Sequence, residues 1–301
     1  MAKLNNINGH FVESDYENAL ISFLEREGWQ YLFGDSIKRA NRKEVLNMED
    51  LLHFLTKQNK DLENSEIQRI VDNIRLVGSN SDFATLHKVY KWMIDGISAV
   101  NQKNEPVNVG LIDFEKIENN IFRVVNQFTV EYINNGVKKT RRPDVLLYVN
   151  GIPVCVIELK NPTDANTTIY DAWEQINIRY WRDIPGLLHY CPLACISDGV
   201  KTRLGTVRTP YEHFYAWRRV ENGDKVSTMP FDELETMVSG VYRPERFLEI
   251  FRDYVYFQDE NYDSDEKEII CRYPQFFATR LLRESVIKSV KTKSGKGGTY
   301  F

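Results

Sequence analysis

Two short apolar runs on either side of Asn150-Gly151 give this chain its clearest pattern. The first run ends at Val149 and the second begins at Ile152, and both consist mainly of Val, Ile, Leu and Tyr. Such residues favour strands, and Asn-Gly between two runs of this kind is the strongest short-range signal for a β-hairpin. The pattern therefore predicts two paired strands over residues 144–160.

The rest of the chain alternates between helical and strand-like periodicity. Helices are predicted near 15–28, 47–58, 64–77, 83–99, 164–181 (capped by Asp164 or Asn166) and 244–256, with a helix-rich stretch over 269–290. Strands are predicted near 29–33, 106–112, 120–134, 193–197, 203–207 and 212–218, with an acidic exposed loop over 258–268. This order predicts an α/β fold in which a mixed sheet is flanked by helices, with a helical insertion near 44–100.

Three ionisable residues occupy the far ends of the predicted hairpin: Asp144, Glu158 and Lys160. Glu158 and Lys160 are two residues apart, so their side chains share one face of the strand. Two carboxylates and an ammonium group brought together can hold a divalent metal ion and a phosphodiester. The alternative is a surface hairpin with an ordinary Glu–Lys pair, which leaves the apolar residues around Glu158 unexplained.

The turn geometry decides whether the two acids meet. With a regular two-residue turn Asp144 would face Ile157, and its side chain would lie on the opposite face from Glu158. A three-residue loop, a bulge near Pro153 or a bend at Pro143-Asp144 would bring the acids together. We therefore expect a bulged hairpin or a bend.

Composition and charge narrow the class of protein. The 301 residues are 42% hydrophobic and 27% charged, which is ordinary for a globular protein with a large core. No apolar run approaches a membrane span and the N-terminus lacks a signal peptide, so we expect a cytoplasmic protein. The net charge of -4 does not indicate nucleic-acid binding, but basic residues are clustered locally. These clusters are Lys138, Lys139, Arg141 and Arg142; Lys201, Arg203 and Arg208; and Lys288, Lys291, Lys293 and Lys296. Any single lysine among them could equally be a solvated loop residue.

The four cysteines, Cys155, Cys191, Cys195 and Cys271, lie in or beside apolar runs without CxxC spacing. This placement predicts buried free thiols rather than disulfides or a zinc site. The stretch 187–196 resembles a buried strand, which argues against a metal site at His189.

The order of these motifs resembles the N-terminal part of the restriction (R) subunits of type I restriction-modification enzymes, which belong to the PD-(D/E)xK nuclease superfamily. Pro143-Asp144, thirteen residues, and then Glu158-Leu159-Lys160 is similar to the nuclease signature. The other segments that carry the resemblance are Glu17, 28–29, 119–122, 126–128, 150–151, Pro153, 161–162, 182–185, 197–199 and 205–206.

The resemblance implies a restriction-endonuclease-like core that cleaves double-stranded DNA with Mg²⁺. It implies that Asp144 and Glu158 bind the metal, that Lys160 assists the attacking water and that Glu17 is a supporting acid. The family also has a glutamine and a tyrosine four residues apart on the helix after the lysine. Here Gln175 and Tyr180 are five apart, so Gln175 is the safer assignment.

The resemblance also implies partners and a second domain. It predicts an endonuclease domain over 1–245, then a linker and the leading edge of an ATP-dependent motor over 246–301, before any phosphate loop. Gln275 is similar in position to a glutamine that contacts ATP in such motors, or it is simply a helix-surface residue. Without the phosphate loop we expect no ATP hydrolysis by this chain. The implied partners are DNA and the methylation and specificity subunits of the type I complex, with no membrane.

Two other functions fit the same residues. One is a DNA repair nuclease of the same fold that degrades free ends. The other is a DNA-docking or assembly module whose acidic site is inactive in isolation.

Overall fold

The structure is a computed structural model, and it describes residues 13–78, 80–161, 167–225, 232–258 and 266–292. Its helices are α1 (Glu13–Arg26), α2 (Met48–Gln58), α3 (Asn64–Arg75), α4 (Asp82–Asp95), α5 (Ile169–Glu174), α6 (Trp181–Asp183), α7 (Pro185–Leu188), α8 (Asp232–Val241), α9 (Pro244–Asp253) and α10 (Tyr273–Thr292). A π-helical turn (Gln175–Tyr180) joins α5 to α6.

The strands are β1 (Gln30–Phe33), β2 (Ile97–Val100), β3 (Pro106–Val109), β4 (Phe122–Asn126), β5 (Val130–Asn134), β6 (Val137–Arg141), β7 (Val145–Val149), β8 (Ile152–Leu159), β9 (Leu193–Ser197), β10 (Thr202–Thr206), β11 (Val255–Gln258) and β12 (Lys267–Ile270). Within the described ranges, six of them form a central sheet in the order β1-β4-β7-β8-β9-β10. β1 runs parallel to β4 and β8 parallel to β9, whereas the other neighbours are antiparallel. The mixed sheet with its helices confirms the predicted α/β class.

These strand directions bring several strand ends together at one end of the sheet. The C-terminal ends of β1, β4, β8 and β9 meet the N-terminal ends of β7 and β10 there. Asp144 directly precedes β7 and Lys160 directly follows β8, so both lie at this end. We call it the Asp144 end of the sheet.

Both faces of the central hairpin are covered. Every residue of β7 and β8 is buried. On one face the Tyr242 hydroxyl, from the connection between α8 and α9, lies 3.7 Å from the sulfur of Cys155. On the other face the Tyr180 hydroxyl contacts Glu158. A strand that is buried on both faces is mostly apolar, which explains the long apolar runs in the sequence and leaves Glu158 as the exception in β8.

The predicted helical insertion consists of α2, α3 and α4, which lie between β1 and β4 along the chain. It packs on the turn of the central hairpin, because the backbone N–H of Asn47 donates to the Gly151 carbonyl at 2.9 Å. Gly151 has a φ of 80°, and a Cβ there would lie 2.2 Å from the Asn47 carbonyl oxygen. The insertion therefore requires glycine at this turn and covers the end of the hairpin that is remote from Asp144.

Two predicted elements of the first half differ from the structure. The helix predicted over 83–99 ends at Asp95, because Gly96 adopts a φ of 84° and strand β2 follows. The single strand predicted over 120–134 is also wrong, since Gln127 adopts a φ of 53° and separates β4 from β5. As a result β5 and β6 leave the central sheet and form a two-stranded sheet of their own.

The helix predicted over 164–181 begins at Ile169, and Thr168 caps it together with Asp171. The predicted caps Asp164 and Asn166 lie outside the described residues. The strand predicted over 212–218 is wrong, because this stretch contributes only a short 3₁₀ turn and one β-bridge, between Leu204 and Tyr215.

The C-terminal part has more strand than predicted. The helix predicted over 244–256 ends at Asp253 and is followed by β11. Glu268, predicted in an exposed loop, is buried in β12 opposite Phe257. Residues 259–265 between these strands lie outside the described residues. α9 packs into the core, where Phe247 meets the Trp29 ring edge-on at 5.4 Å.

The cysteines are free thiols, as predicted, with Cys155, Cys191 and Cys195 buried and Cys271 partly exposed. The strand predicted over 187–196 is wrong in its first half, because α7 ends at Leu188 and β9 begins at Leu193. No helix among the described ranges combines the length and the apolar character needed to cross a membrane.

Candidate active site

A bulge in the central hairpin aligns the two predicted acids. Asn150 and Gly151 form a two-residue turn in which both φ angles are positive, at 50° and 80°. Tyr148 pairs with Pro153, but Leu147 pairs with Cys155, so that Val154 is an extra residue. The shifted register continues to Val145 opposite Ile157, which places the preceding Asp144 opposite Glu158. The prediction of a bulged hairpin is confirmed, whereas the three-residue loop is not found.

The side chain of Asp144 is fixed by the backbone of the neighbouring strand. Its Oδ2 accepts a hydrogen bond from the N–H of Leu159 at 2.7 Å. Because β7 begins only at Val145, the Asp144 carboxylate takes the place of a backbone acceptor for the end of β8. The carboxylate is thereby held beside Glu158.

Glu158 is the centre of the site. Its side chain is fully buried and that of Lys160 is 13% exposed, with the Lys160 Nζ 3.9 Å from Glu158 Oε2. Gln175 Nε2 donates to Glu158 Oε2 at 2.6 Å, and the Tyr180 hydroxyl donates to Glu158 Oε1 at 2.5 Å. Lys160 in turn donates to Gln175 Oε1 at 3.0 Å. One network therefore joins Glu158 to both Lys160 and the helix that follows it.

The π-helical turn explains the five-residue spacing between Gln175 and Tyr180. An α-helix brings residues four apart onto one face, whereas a π-turn inserts one residue and brings residues five apart together. Gln175 Nε2 accordingly lies 2.8 Å from the Tyr180 hydroxyl, and both side chains reach Glu158. The extra residue does not remove the tyrosine from the site, and the reason for preferring Gln175 over Tyr180 no longer applies.

Burial and charge act strongly on the pKa of Glu158. Burial raises the pKa of Glu158 well above its ordinary value, and the Asp144 carboxylate beside it raises the pKa further. Lys160 and the hydrogen bond from Tyr180 lower the same pKa. Burial and the neighbouring Glu158 also raise the pKa of Tyr180, so that its hydroxyl stays protonated as a donor. A buried carboxyl group in contact with a second, partly buried one tends to stay protonated unless a positive charge compensates the pair.

Glu17 also lies at the Asp144 end of the sheet. Its Oε1 accepts hydrogen bonds from Asn126 Nδ2 at 2.5 Å and from Gln127 Nε2 at 3.3 Å. Asn126 is the last residue of β4 and pairs with Val145, next to Asp144. The structure thus places Glu17 against the strand beside the acids.

Asn126 was not singled out in the sequence as a site residue. It is buried, it donates to Glu17, and its Oδ1 accepts from the Tyr31 hydroxyl at 2.9 Å. The only sequence signal is an amide at the end of an apolar strand, followed by Gln127. Such a signal does not identify a partner more than a hundred positions away in the chain.

Gln275 is separate from this group. It lies exposed in the first turn of α10, and its Oε1 accepts a hydrogen bond from the backbone N–H of Arg272 at 2.8 Å. This contact caps the start of the helix. Its proposed role toward ATP stays a prediction.

Comparison with known proteins gives the context of the site. Residues 10–213 match the family described as type I restriction enzyme R protein N terminus. This range contains every residue of the network around Glu158. The chain belongs to this family.

Individual members of the type I restriction enzymes extend the similarity. The chain is 29% identical over 309 aligned positions to a Methanocaldococcus jannaschii protein that is provisionally named type I restriction enzyme MjaIXP endonuclease subunit, covering 93% of this chain and 28% of that protein. It is 29% identical over 300 positions to the type I restriction enzyme HindI endonuclease subunit of Haemophilus influenzae, covering 95% of this chain and 27% of that protein. The chain therefore spans about a quarter of the length of these curated relatives.

Proposed function

We propose that this chain is a nuclease domain that hydrolyses phosphodiester bonds of double-stranded DNA in a Mg²⁺-dependent reaction, and that its core is of the PD-(D/E)xK type. The observation that carries the proposal is the network at the Asp144 end of the sheet, where Asp144, Glu158 and Lys160 converge with Gln175 and Tyr180. The names of the relatives, which are endonuclease subunits, support the same reaction class.

The donor set suits Mg²⁺. This ion is usually held by one or two carboxylates, while waters and substrate phosphate oxygens complete its shell. Asp144 and Glu158 supply two carboxylates in contact. Within the described part of the chain, no group of three or more His, Cys, Asp and Glu residues is placed to hold a metal ion. The side chains that the network joins, Asp144, Glu158, Lys160, Gln175 and Tyr180, include neither the imidazole nor the thiolate ligands that favour zinc.

The chemistry that Mg²⁺ supplies when bound is polarisation of a phosphate oxygen and a lowered pKa for a water molecule. Asp144 and Glu158 would hold the ion, and the hydrogen bonds from Leu159, Gln175 and Tyr180 would keep the carboxylates in place. These donors also reduce the cost of ionising the buried Glu158 beside the partly buried Asp144.

Lys160 supplies a positive charge beside the metal ligands. An ammonium group has three N–H donors, and Gln175 Oε1 accepts one of them. The others can reach a phosphate oxygen or the attacking water, where they would stabilise the developing negative charge. Gln175 contacts both Lys160 and Glu158, so it would act by positioning these two side chains relative to each other.

The test is DNA cleavage by the complete subunit complex, comparing wild type with Asp144→Ala and Lys160→Ala. We expect wild type to cut a covalently closed circular plasmid in Mg²⁺ and both variants to lose this activity. Unchanged cleavage in both variants would remove the proposed roles. Degradation of linear DNA without cutting of closed circles would instead identify an end-dependent repair nuclease.

The relatives are about four times as long as the part of them that this chain matches, which leaves room for further domains in those proteins. We propose that an ATP-driven motor and the methylation and specificity subunits act with this domain, and that base recognition comes from the specificity subunit. The docking-module alternative predicts DNA binding that is unaffected by Glu158→Ala and no metal-dependent cutting under any condition.

Removing the Tyr180 hydroxyl tests the positioning of Glu158. We expect Tyr180→Phe to lower cleavage near neutral pH by about tenfold or more, because a hydrogen bond to a charged group contributes roughly 1.5–3 kcal/mol. Tyr180 lowers the pKa of Glu158, so its loss should also move the pH profile of cleavage upward. The measurement is the single-turnover rate against pH at saturating Mg²⁺.

Tyr190→Phe is the matched control for this variant. Tyr190 is also buried, but its hydroxyl donates to the Ile74 carbonyl at 2.7 Å in the helical insertion. This control should reduce thermal stability without moving the pH profile. Equal profiles for Tyr180→Phe and wild type would show that the tyrosine does not act on Glu158.

A further inference from the structure

A two-stranded ribbon projects from the chain immediately before the site. It consists of β5 and β6, which pair only with each other among the described strands and turn at Asn135-Gly136. The ribbon ends at Arg141, three residues before Asp144, so the two Cα atoms are at most about 11 Å apart. The ribbon is therefore tied closely to the Asp144 end of the sheet.

The base of the ribbon is anchored firmly. Arg141 donates through Nε and Nη2 to Asp183 Oδ2 at 2.7 and 2.5 Å, and Asp183 is buried. Arg182 and Arg141 lower the pKa of Asp183 to about 2, so this ion pair persists at neutral pH. On the other strand the N–H of Glu131 donates to the Arg42 carbonyl at 3.0 Å. Asp183 ends the helix that carries Gln175 and Tyr180, which links the ribbon to the site.

The outer half of the ribbon is exposed and carries a similar pair of side chains on each face. Cross-strand partners share a face, and successive residues alternate between faces. One face presents Ile133 opposite Lys138, and the other presents Val137 and Lys139. Ile133 is 57% exposed and Val137 is 58% exposed. Each face thus offers one lysine and one aliphatic side chain.

This inference rests on the proposed function. We propose that the β5–β6 ribbon is a DNA-binding arm that enters a groove of the duplex held at the Asp144 end of the sheet. Lys138 contacts the phosphates of one strand and Lys139 those of the other. Ile133 and Val137 contact the groove floor and walls without reading sequence.

The dimensions and charges favour this occupant. The major groove is about 12 Å wide and admits a two-stranded ribbon. A groove has a phosphate backbone on each side, which matches one lysine on each face. Glu131 is the single acidic residue on the ribbon, and its carboxylate lies 3.3 Å from the Lys138 ammonium group. The segments that flank the base of the ribbon expose four basic residues: Lys38, Arg42, Lys43 and Arg142. The ribbon and its flanking segments together carry a net positive charge. This charge favours a polyanion such as DNA over a protein surface that has few acidic residues.

The test measures binding without cleavage. A labelled 30-base-pair duplex is titrated with the full chain in EDTA at several salt concentrations, using wild type and the Lys138→Gln/Lys139→Gln variant. Loss of two phosphate contacts should reduce the slope of log K against log[salt] by about 1.8 and weaken binding by about tenfold or more at 0.1 M salt. Lys57→Gln/Lys60→Gln is the matched control, because both lysines are exposed near the end of α2 and the charge change is equal. The control should match wild type.

The outcomes separate the arm from the nuclease. An equal slope for ribbon variant and wild type, or no DNA binding by wild type at 50 mM salt, would overturn the arm. A photo-crosslinking residue at Val137 should label DNA, and labelling of another protein subunit in its place would overturn it too. Ribbon-dependent binding with cleavage unaffected by Asp144→Ala would keep the arm and remove the proposed nuclease. Loss of cleavage in Asp144→Ala, together with normal DNA binding by the ribbon variant, would keep the proposed nuclease and remove the arm.

Discussion

Replacing Glu158 with glutamine should reduce Mg²⁺-dependent DNA cleavage by about 10³-fold or more, while the protein stays folded. A metal contributes several kcal/mol of transition-state stabilisation, and each 1.4 kcal/mol or so corresponds to a factor of ten in rate. Glutamine removes the anionic ligand but keeps the volume of the side chain. Its single amide oxygen can accept from one of the two groups that donate to Glu158, the Gln175 amide or the Tyr180 hydroxyl, and its NH2 group takes the place of the other carboxylate oxygen. The measurements are single-turnover cleavage and thermal unfolding in EDTA.

Stability should change little in this variant, because the removal of an ionisable group from a fully buried position offsets the loss of one accepted hydrogen bond. Glu268→Gln is the matched control. Glu268 is 3% exposed and, like Glu158, has a pKa that burial raises well above the ordinary value. This second buried acid lies in β12, away from the network, so its replacement should leave cleavage unchanged. Wild-type cleavage by Glu158→Gln would mean that the buried carboxylate is not a metal ligand.

From the sequence, the pairing of Asp144 with Glu158 followed only as a requirement of the metal-site hypothesis. Counting residues across Asn150-Gly151 showed that a regular hairpin would separate them, so some irregularity had to be present. The structure places the extra residue at Val154, beside the proline that has no N–H to donate. A loop, a bulge and a bend all satisfied the same count. Local sequence preferences were not strong enough to choose among them.

The π-helical turn shows a different limit. Apolar periodicity indicates that 164–181 is helical, but it does not reveal that one turn contains an extra residue. With α-helical geometry assumed, Arg179 occupied the position expected for the tyrosine. Only the contacts of Tyr180 with Glu158 and Gln175 reveal the local geometry. A pair of functional residues five apart is therefore compatible with one face when a π-turn lies between them.

Long-range polar contacts were the least accessible part of the site. Asn126 holds Glu17 across 109 positions of the chain, and Arg141 holds Asp183 across 42. Each residue is unremarkable within its own segment. Their partners follow from the sheet order β1-β4-β7-β8-β9-β10, which brings β4 beside β7, and the sequence predicted a mixed sheet without this order. Gln127 is the reason that the single strand predicted over 120–134 was wrong. Its left-handed conformation ends β4 inside a stretch whose pattern is strand-like without a break.

The metal-free protein should lose stability as the pH rises, and Mg²⁺ should reverse this trend. The folded-state pKa of Glu158 is raised above its unfolded value, so the folded protein binds a proton that the unfolded chain releases. The resulting stability is fully present below the ordinary carboxyl pKa and is lost as the pH rises through the folded-state pKa. Mg²⁺ requires the ionised carboxylates, so its affinity should increase by up to about tenfold per pH unit while one proton is displaced. Melting temperatures between pH 5 and 8, in EDTA and in Mg²⁺, measure both effects.

Two variants assign this pH dependence to the site. Burial also raises the pKa of Glu268, so the described part of wild type contains two carboxyl groups, Glu158 and Glu268, whose pKa values are raised in the folded state. Glu268→Gln should remove the contribution of Glu268 to the slope of melting temperature against pH in EDTA. It should leave the stabilisation by Mg²⁺ intact. Glu158→Gln should remove the rest of the slope together with the Mg²⁺ effect. The scan stops at pH 8 because burial raises the pKa values of the cysteine thiols, whose titration begins at higher pH. A Mg²⁺-induced stabilisation that is independent of pH, or that survives in Glu158→Gln, would show that the ion binds elsewhere.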